Sequence, residues 1–359
     1  MAEATPRTRP GAAVPEHRAE CLSILIATYL EPRFVDRIAA GGGCEVLYAP
    51  ELLPRPRYLN DHGGTPPELS AADERRWAEL LAAADVAFDF DWHAPADLLA
   101  NAPRLRWVQA TSAGIGGFVQ RYGLDRGDLV MTTAAGVHAA PLAEFAVAGA
   151  LHFIKDVPRL QAHQRGHHWQ RHVSGQLAGR RATVVGLGSI GRRIAEAYDA
   201  LGMRVTGVGR AGGSYHVADT VRMIATEQLD DVLSATDVLV LACPLTEQTR
   251  GLINAARVAS LPEGAIVVNV ARGQVLDEAA LISALRAGRL HGAALDVFET
   301  EPLPDASPLW DLPNVLVSPH SASTAAEENE VLTELFLDNL SRYRQRRPLR
   351  NLYQSARGY

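Results

Sequence analysis

The stretch "VVGLGSIGRRIAEAYDALGMRVTGVGR", residues 184–210, sets the architecture of this 359-residue chain. A β-branched run ends at Val185, and glycines follow at 186, 188 and 191. The segment after them has the apolar spacing of an amphipathic helix, and a second strand-like run, "RVTGV", closes the unit. Strand, tight turn, helix and strand in that order make a βαβ unit of a parallel sheet. Each glycine has its own task in such a turn. Gly186 permits the sharp reversal, Gly188 lets the backbone approach a pyrophosphate, and Gly191 lets helix and strand pack closely. Ser189 and Ile190 then open the helix, where the dipole and the exposed amides favour an anion. A bare GxGxxG is weak evidence. Held between a β-branched run and an amphipathic helix, it points to a bound dinucleotide.

The end of the second strand indicates which dinucleotide. An acidic residue at that place holds the ribose 2′-hydroxyl of NAD. This chain instead reads Gly209-Arg210. Gly209 removes the charge that would repel a 2′-phosphate, and Arg210 offers a guanidinium suited to bind one. The expected cofactor is therefore NADP(H) in preference to NAD(H).

Downstream, the runs "DVLVLA", "AIVVNV", "HGAALDV" and "NVLVSP" continue the strand series, each followed by a helical segment or a Pro/Gly turn. Upstream, "CLSILIATYL", "CEVLYA", "DVAFDF" and "LRWVQA" form another series, with helical spacing between them as in "RRWAELLAA". Two successive βαβ series predict an α/β protein of two doubly wound parallel-sheet domains sharing one cleft. Between the series, "PLAEFAVAGALHFI" begins like a helix, with Pro141 in its first turn and an apolar face from Leu142 to Ile154. The last amphipathic segment, "AAEENEVLTELFLDNLSRYRQ", is a candidate to return to the first domain. Residues 1–20 are rich in Pro, Arg, Ala and Glu, lack an apolar core, and read as a disordered tail and not a signal peptide.

Composition narrows the function classes. With 47% hydrophobic residues the chain can fill two cores. A net charge of −6 leaves no broad basic excess for nucleic acid. No apolar run approaches the roughly 18 residues of a membrane span. Cys21, Cys44 and Cys243 lie far apart in no metal-ligand spacing, and their odd number argues against a disulfide framework. A reducing, cytoplasmic location follows as the expectation. His163, His167, His168 and His172 crowd together, yet no carboxylate or cysteine completes a metal set, so they read as solvated or interface residues.

Three patches carry polar groups at strand ends: "VVNVARG" with Arg272, "AALDVFETEPLP" with Asp296 and Glu301, and "NVLVSPHSAS" with His320. Ligands of open α/β sheets bind beyond the carboxyl ends of the strands. Adding a hydride to a 2-keto acid requires a cation for the carboxylate and the polarised carbonyl, and an acid to protonate the new oxyanion. Arg272 suits the first task and His320 the second. Glu301 can orient the imidazole and stabilise its protonated form.

With these motifs in order, "LRWVQATSAG", "AAGVHAAPLAEFAVAGAL", "VVGLGSIG", "VVNVARG", "ALDVFETEPLP" and "SPHSA", the chain resembles the D-isomer-specific 2-hydroxyacid dehydrogenases over about residues 85 to 345. The resemblance implies that Arg272 binds the substrate carboxylate and carbonyl, and that Glu301 and His320 form an acid/base dyad. It implies Asp296 beside the nicotinamide carboxamide, and Pro244, Thr249 and Ala271 along the cofactor groove. The backbone of Ser112, Ala113 and Gly114 would meet the substrate carboxylate. The "DFDWHAPADLL" segment is similar to one in glyoxylate/hydroxypyruvate reductases, where the tryptophan, here Trp92, borders the substrate. The architecture implied is a flavodoxin-like substrate domain (21–137 plus 322–359) and a Rossmann NAD(P) domain (138–321). A homodimer joined through about residues 138 to 178 is also implied. The chain departs from the family where many members read "GVD" and this one has Gly114-Ile115-Gly116, and in the missing acid at Gly209. The implied activity is NAD(P)-dependent reduction of a small 2-keto acid to a D-2-hydroxy acid. The rival class is a corepressor-like member that binds NAD(H) as a signal without turnover.

Overall fold

The computed structural model describes residues 21–41, 43–213, 215 and 217–355. The expected tail, residues 1–20, lies outside the described residues. The chain divides into two compact units. One holds the described residues up to Val137 and from Ala326 onward, and the other runs His138–Ala325.

The first unit is built on five parallel strands: β1 (Leu22–Ile26), β2 (Cys44–Leu47), β3 (Val86–Phe88), β4 (Trp107–Gln109) and β5 (Val130–Thr132). Their order is β2-β1-β3-β4-β5. Alternate side chains of a strand point to opposite faces, and a parallel sheet buries both. Leu25, Ala87 and Val108 accordingly join one core with Trp77 and Leu81. Ile24, Ile26, Val86, Phe88 and Trp107 join the other, where they meet Leu332, Phe336, Leu340 and Tyr343. Those four lie at helical spacing along the helix Glu328–Arg344, which places the last long segment on the first unit's sheet. The Trp107 ring stacks on Phe336 at 5.2 Å and on Tyr343 at 5.5 Å. Truncating a buried aromatic such as Phe336 to Ala costs about 3–5 kcal/mol.

The second unit has seven parallel strands: β6 (Arg181–Val185), β7 (Arg204–Gly209), β8 (Arg222–Ala225), β9 (Val238–Leu241), β10 (Ala265–Asn269), β11 (Leu290–Leu295) and β12 (Val315–Val317). Their order is β12-β11-β10-β9-β6-β7-β8. Val184, Val240, Ile266 and Val268 face a core capped by the helix Ala139–Ile154, with Leu142, Ala146, Ala150 and Phe153 turned inward. Val185, Leu239, Leu241 and Val267 face the opposite core. The helix Ala139–Ile154 approaches closely because Gly149 lacks a Cβ, which would lie 2.5 Å from Ala294 Cβ. Among the described residues no helix is long and apolar enough to cross a membrane.

The register of this sheet aligns its strand ends. Val185 pairs with both Val208 and Leu241, Leu241 with Asn269, Asn269 with Leu295, and Leu295 with Val317. Six strands therefore end level. The chain moves from β6 to β7 on one side and returns to β9 on the other, so the switch point of the winding lies between β6 and β9. Open α/β sheets bind ligands outside the strand ends at such a point.

Candidate active site

The glycine turn follows β6 at the switch point. Gly186 has φ +94°, a left-handed conformation that favours glycine. A Cβ on it would lie 2.5 Å from Cys243 Cα, so the turn is pressed against the chain leaving β9. A Cβ on Gly191 would sit 1.7 Å from the Gly186 carbonyl oxygen, so the helix and turn can be this close only with glycine there. Gly188 is the reverse: among the described residues nothing lies within 4 Å of the position its Cβ would take. The helix Ser189–Ala200 starts beside that open face, with Gly188 as its N-cap and no side chain capping its amides. Two crowded glycines, one open glycine and an uncapped twelve-residue helix fit the pyrophosphate of a dinucleotide.

The Arg272, Glu301 and His320 loops follow the ends of β10, β11 and β12, three neighbouring strands. His320 Nδ1 and Glu301 Oε2 are 2.7 Å apart, with side chains 43% and 35% exposed. The other carboxylate oxygen, Oε1, accepts the Phe298 amide at 3.0 Å, so Glu301 is fixed at both oxygens. With Nδ1 engaged, Nε2 is the ring nitrogen left to exchange a proton. His320 itself has φ +53°, a conformation that strains a non-glycine residue by roughly 1–3 kcal/mol. Its amide donates to the Asp296 carbonyl at 2.9 Å and the Ser318 carbonyl at 3.0 Å. The Asp296 carboxylate completes the clamp. Buried at 2% exposure, its Oδ1 accepts the Ser318 hydroxyl (2.6 Å) and the Ser321 and Ala322 amides (both 2.9 Å). A residue read toward the cofactor thus also moulds the loop that presents His320.

Arg272 is exposed in extended backbone, with Nη1 donating to the Ala271 carbonyl at 2.6 Å. Its loop abuts the Glu301 loop backbone to backbone: a Cβ on Gly273 would fall 1.8 Å from the Phe298 carbonyl carbon. Gln274 Nε2 donates to the Glu299 carbonyl at 2.8 Å, and the Glu299 amide donates to Glu278 Oε2 at 3.0 Å. Gly273, Gln274 and Glu278 carry no local pattern that marks them, because their partners lie far along the chain.

The remaining expected residues fall into two sets. Ala271 is buried, its amide held by Asn269 Oδ1 at 3.0 Å. Thr249 Oγ1 donates to the Pro244 carbonyl at 2.6 Å and accepts the Thr246 amide at 2.7 Å, so it knits the loop after β9. The buried Cys243 thiol is pushed up to about 11 and stays protonated at neutral pH. Arg210, exposed, follows β7 beside the glycine turn, where the Gly186 amide donates to the Val208 carbonyl at 2.9 Å. These residues, like the Arg272, Glu301 and His320 loops, belong to the second unit. Ser112, Ala113 and Gly114 belong to the first, in the turn after β4, where the Gly114 amide donates to Ser112 Oγ at 3.3 Å. Trp92 also belongs to the first unit, in the turn after β3, half-buried against Trp77, with its indole Nε1 buried and without a partner among the described residues. Asp91 fixes that turn by accepting Trp77 Nε1 and the His93 amide, both at 2.9 Å, and the Ala94 amide at 3.2 Å. Among the histidines, His163 stacks on His168 at 4.9 Å and meets the edge of His172 at 6.2 Å.

Residues 147–322 match the model of the D-isomer specific 2-hydroxyacid dehydrogenase NAD binding domain. A glyoxylate reductase of Aeropyrum pernix is 34% identical over 264 residues, which cover 69% of this chain and 76% of that protein. Two solved structures extend the likeness over nearly the whole chain. A D-isomer specific 2-hydroxyacid dehydrogenase from Xanthobacter autotrophicus, in complex with NADPH and MES, is 31% identical with a TM-score of 0.73, covering 95% of this chain and all of that one. An NADPH-dependent glyoxylate/hydroxypyruvate reductase from Sinorhizobium meliloti, in complex with NADP and sulfate, is 28% identical with a TM-score of 0.73, covering 94% and 100%. With a dinucleotide turn at the switch point and an imidazole–carboxylate pair on the same sheet edge, the chain belongs to the D-isomer-specific 2-hydroxyacid dehydrogenase family of NAD(P)-dependent oxidoreductases.

Proposed function

We propose that this protein reduces a small 2-keto acid of the glyoxylate or hydroxypyruvate type to the D-2-hydroxy acid, with NADPH as the preferred reductant. The observation that carries the reading is the Glu301–His320 pair at 2.7 Å, set on the carboxyl edge of the sheet that holds the Gly186 turn. When bound, the nicotinamide supplies the hydride that adds to the substrate carbonyl carbon. Gly188, Ser189, Ile190 and Gly191 bind the pyrophosphate, Arg210 the ribose phosphate, and Pro244, Thr249, Ala271 and Asp296 the rest of the cofactor. The Arg272 guanidinium pairs with the substrate carboxylate and draws charge toward the carbonyl oxygen. Protonated His320 gives its Nε2 proton to that oxygen as it becomes an alkoxide, and Glu301 balances the imidazolium through Nδ1. The Ser112–Gly114 amides hold the carboxylate and Trp92 borders the substrate. Relatives described as glyoxylate and NADPH-dependent glyoxylate/hydroxypyruvate reductases support the substrate and cofactor choice.

A homodimer built on residues 138–178 is part of the proposal. It is supported by Trp169 and Val173, large apolar side chains that stand 95% and 98% exposed in that segment.

Absorbance of the reduced cofactor, followed with glyoxylate, hydroxypyruvate and bulkier keto acids and with NADPH or NADH, tests the reading. The expected variant result is that His320→Ala lowers kcat about a hundredfold or more at nearly unchanged cofactor affinity. Wild-type-like turnover in that variant removes the assigned acid. Tight cofactor binding with no turnover on any keto acid would favour the signal-binding class instead.

A further inference from the structure

We propose that Tyr215 determines cofactor choice, filling the space of the missing acid and donating its phenol hydrogen to a ribose 2′-phosphate. The proposal rests on the NADPH preference proposed for this site and assigns it a second ligand.

Val208 pairs with Val185, so Gly209 ends β7 level with the glycine turn. A Cβ built on Gly209 would lie 2.4 Å from Tyr215 Cε2, 2.6 Å from Cζ and 2.9 Å from the phenol oxygen. The path an acidic side chain would take from residue 209 is therefore occupied by the ring. The same ring covers Gly213, whose Cβ would fall 2.5 Å from Cε2 and 2.7 Å from the phenol oxygen. Tyr215 is thus held between two glycines, and while the ring keeps its place neither position has room for a side chain.

The surrounding hydrogen bonds give the phenol a fixed place and an unused donor. Its oxygen accepts the Arg210 amide at 2.8 Å. The Gly213 amide donates to the Arg210 carbonyl at 3.0 Å, which closes the turn, and Thr226 Oγ1 donates to the Gly209 carbonyl at 3.0 Å. The phenol hydrogen has no acceptor among the described residues. A neutral donor thus stands where NAD-binding enzymes carry an anion, beside an arginine. A phosphomonoester suits that pair, because a charged acceptor makes the stronger hydrogen bond and the guanidinium balances its charge. A ribose 2′-hydroxyl needs neither.

Equilibrium titration of the full chain with 2′-phospho-ADP-ribose and with ADP-ribose tests this without turnover. Wild type should bind the phosphorylated ligand more tightly. Tyr215→Phe keeps the ring and removes the donor, so it should lose about tenfold or more on 2′-phospho-ADP-ribose while ADP-ribose affinity stays within about twofold. Gly209→Asp should weaken both ligands because the ring blocks the new side chain. Adding Tyr215→Ala to it should restore ADP-ribose binding to at least the wild-type level. A Tyr215→Phe protein that binds both ligands as wild type does overturns the donor role. A Gly209→Asp protein that gains ADP-ribose affinity with Tyr215 in place overturns the steric role. Absence of any preference in wild type overturns the NADPH reading itself, a separate and distinguishable failure.

Discussion

Replacing Glu301 by Gln exchanges one oxygen for an NH2 and tests the proton path directly. The Phe298 amide lies 3.0 Å from Oε1, and only an oxygen can accept it. The Gln amide group must therefore keep its oxygen there and turn its NH2 toward His320 Nδ1, now 2.7 Å from Oε2. An NH2 only donates, so Nδ1 is forced to accept, and the ring is locked neutral with its hydrogen on Nε2. Protonating that ring would set two donors against each other, and the charge pair would be gone as well. Two unit charges about 4 Å apart are worth about 1 kcal/mol in water and about 4 kcal/mol at an effective dielectric near 20. With both side chains roughly two-fifths exposed, the loss falls between those limits. Converted at about 1.4 kcal/mol per decade, kcat for keto-acid reduction should drop between about fivefold and about seven-hundredfold. Cofactor affinity should hold, because Glu301 lies on the β11 side of the sheet and the glycine turn follows β6. Steady-state kcat with saturating cofactor, beside a cofactor titration, reads both quantities. A Glu301→Gln enzyme with kcat within twofold of wild type would show that the carboxylate does not support the proton transfer.

Two further outcomes follow from contacts outside the dyad. Gly273→Ala places a methyl carbon 1.8 Å from the Phe298 carbonyl carbon, so the Arg272 and Glu301 loops must separate. The expected result is a fall of at least about tenfold in kcat/KM with a lowered melting temperature, and an unaffected enzyme would deny that the loops are coupled. In the first unit the Arg57 guanidinium, hydrogen-bonded to Asp61, holds its carboxyl well below the ordinary value of 3.8, against the opposing effect of burial. A depressed folded value means that the stability is fully present above about pH 3.8 and is lost as pH falls toward the folded value. Asp61→Asn should therefore be less stable than wild type in urea at neutral pH, with the gap narrowing in strong acid; a gap independent of pH would contradict the ion pair's role.

The amino-acid sequence exposes what is encoded locally. Gly186, Gly188 and Gly191 each announce a backbone demand, and the structure shows one left-handed turn, one open face and one approach that no Cβ would survive. The apolar strand runs are legible because a parallel sheet buries both faces of its inner strands. The two strands that leave no clear run, β5 and β8, are both sheet edges. β8 reads "RMIA", with Arg222 and Met223 exposed, so an apolar pattern is not required of it. Gly209-Arg210 is visible as a missing acid, but the ring that replaces the acid comes from Tyr215, across a turn whose shape depends on Gly213.

The two carboxylates of "ALDVFETEPLP" show where local reading stops and packing takes over. Asp296 and Glu301 are both acids in one loop, and nothing in their spacing separates their tasks. Burial does. Asp296, 2% exposed, spends one oxygen on three donors of the Ser318–Ala322 segment, and its carbonyl takes the amide of His320. A carboxylate so engaged is a fixed part of the backbone's architecture. Glu301 keeps one oxygen on the Phe298 amide and gives the other to an imidazole that is itself 43% exposed. That oxygen faces a group whose charge can change. A carboxylate paired with an imidazole at a solvent-accessible strand end can support proton transfer, whereas the Asp296 Oδ1, taken by three donors, is committed to holding the loop that presents that imidazole. The strained backbone of His320 supplies the link between them, because the φ of +53° persists only while Asp296 keeps the loop closed.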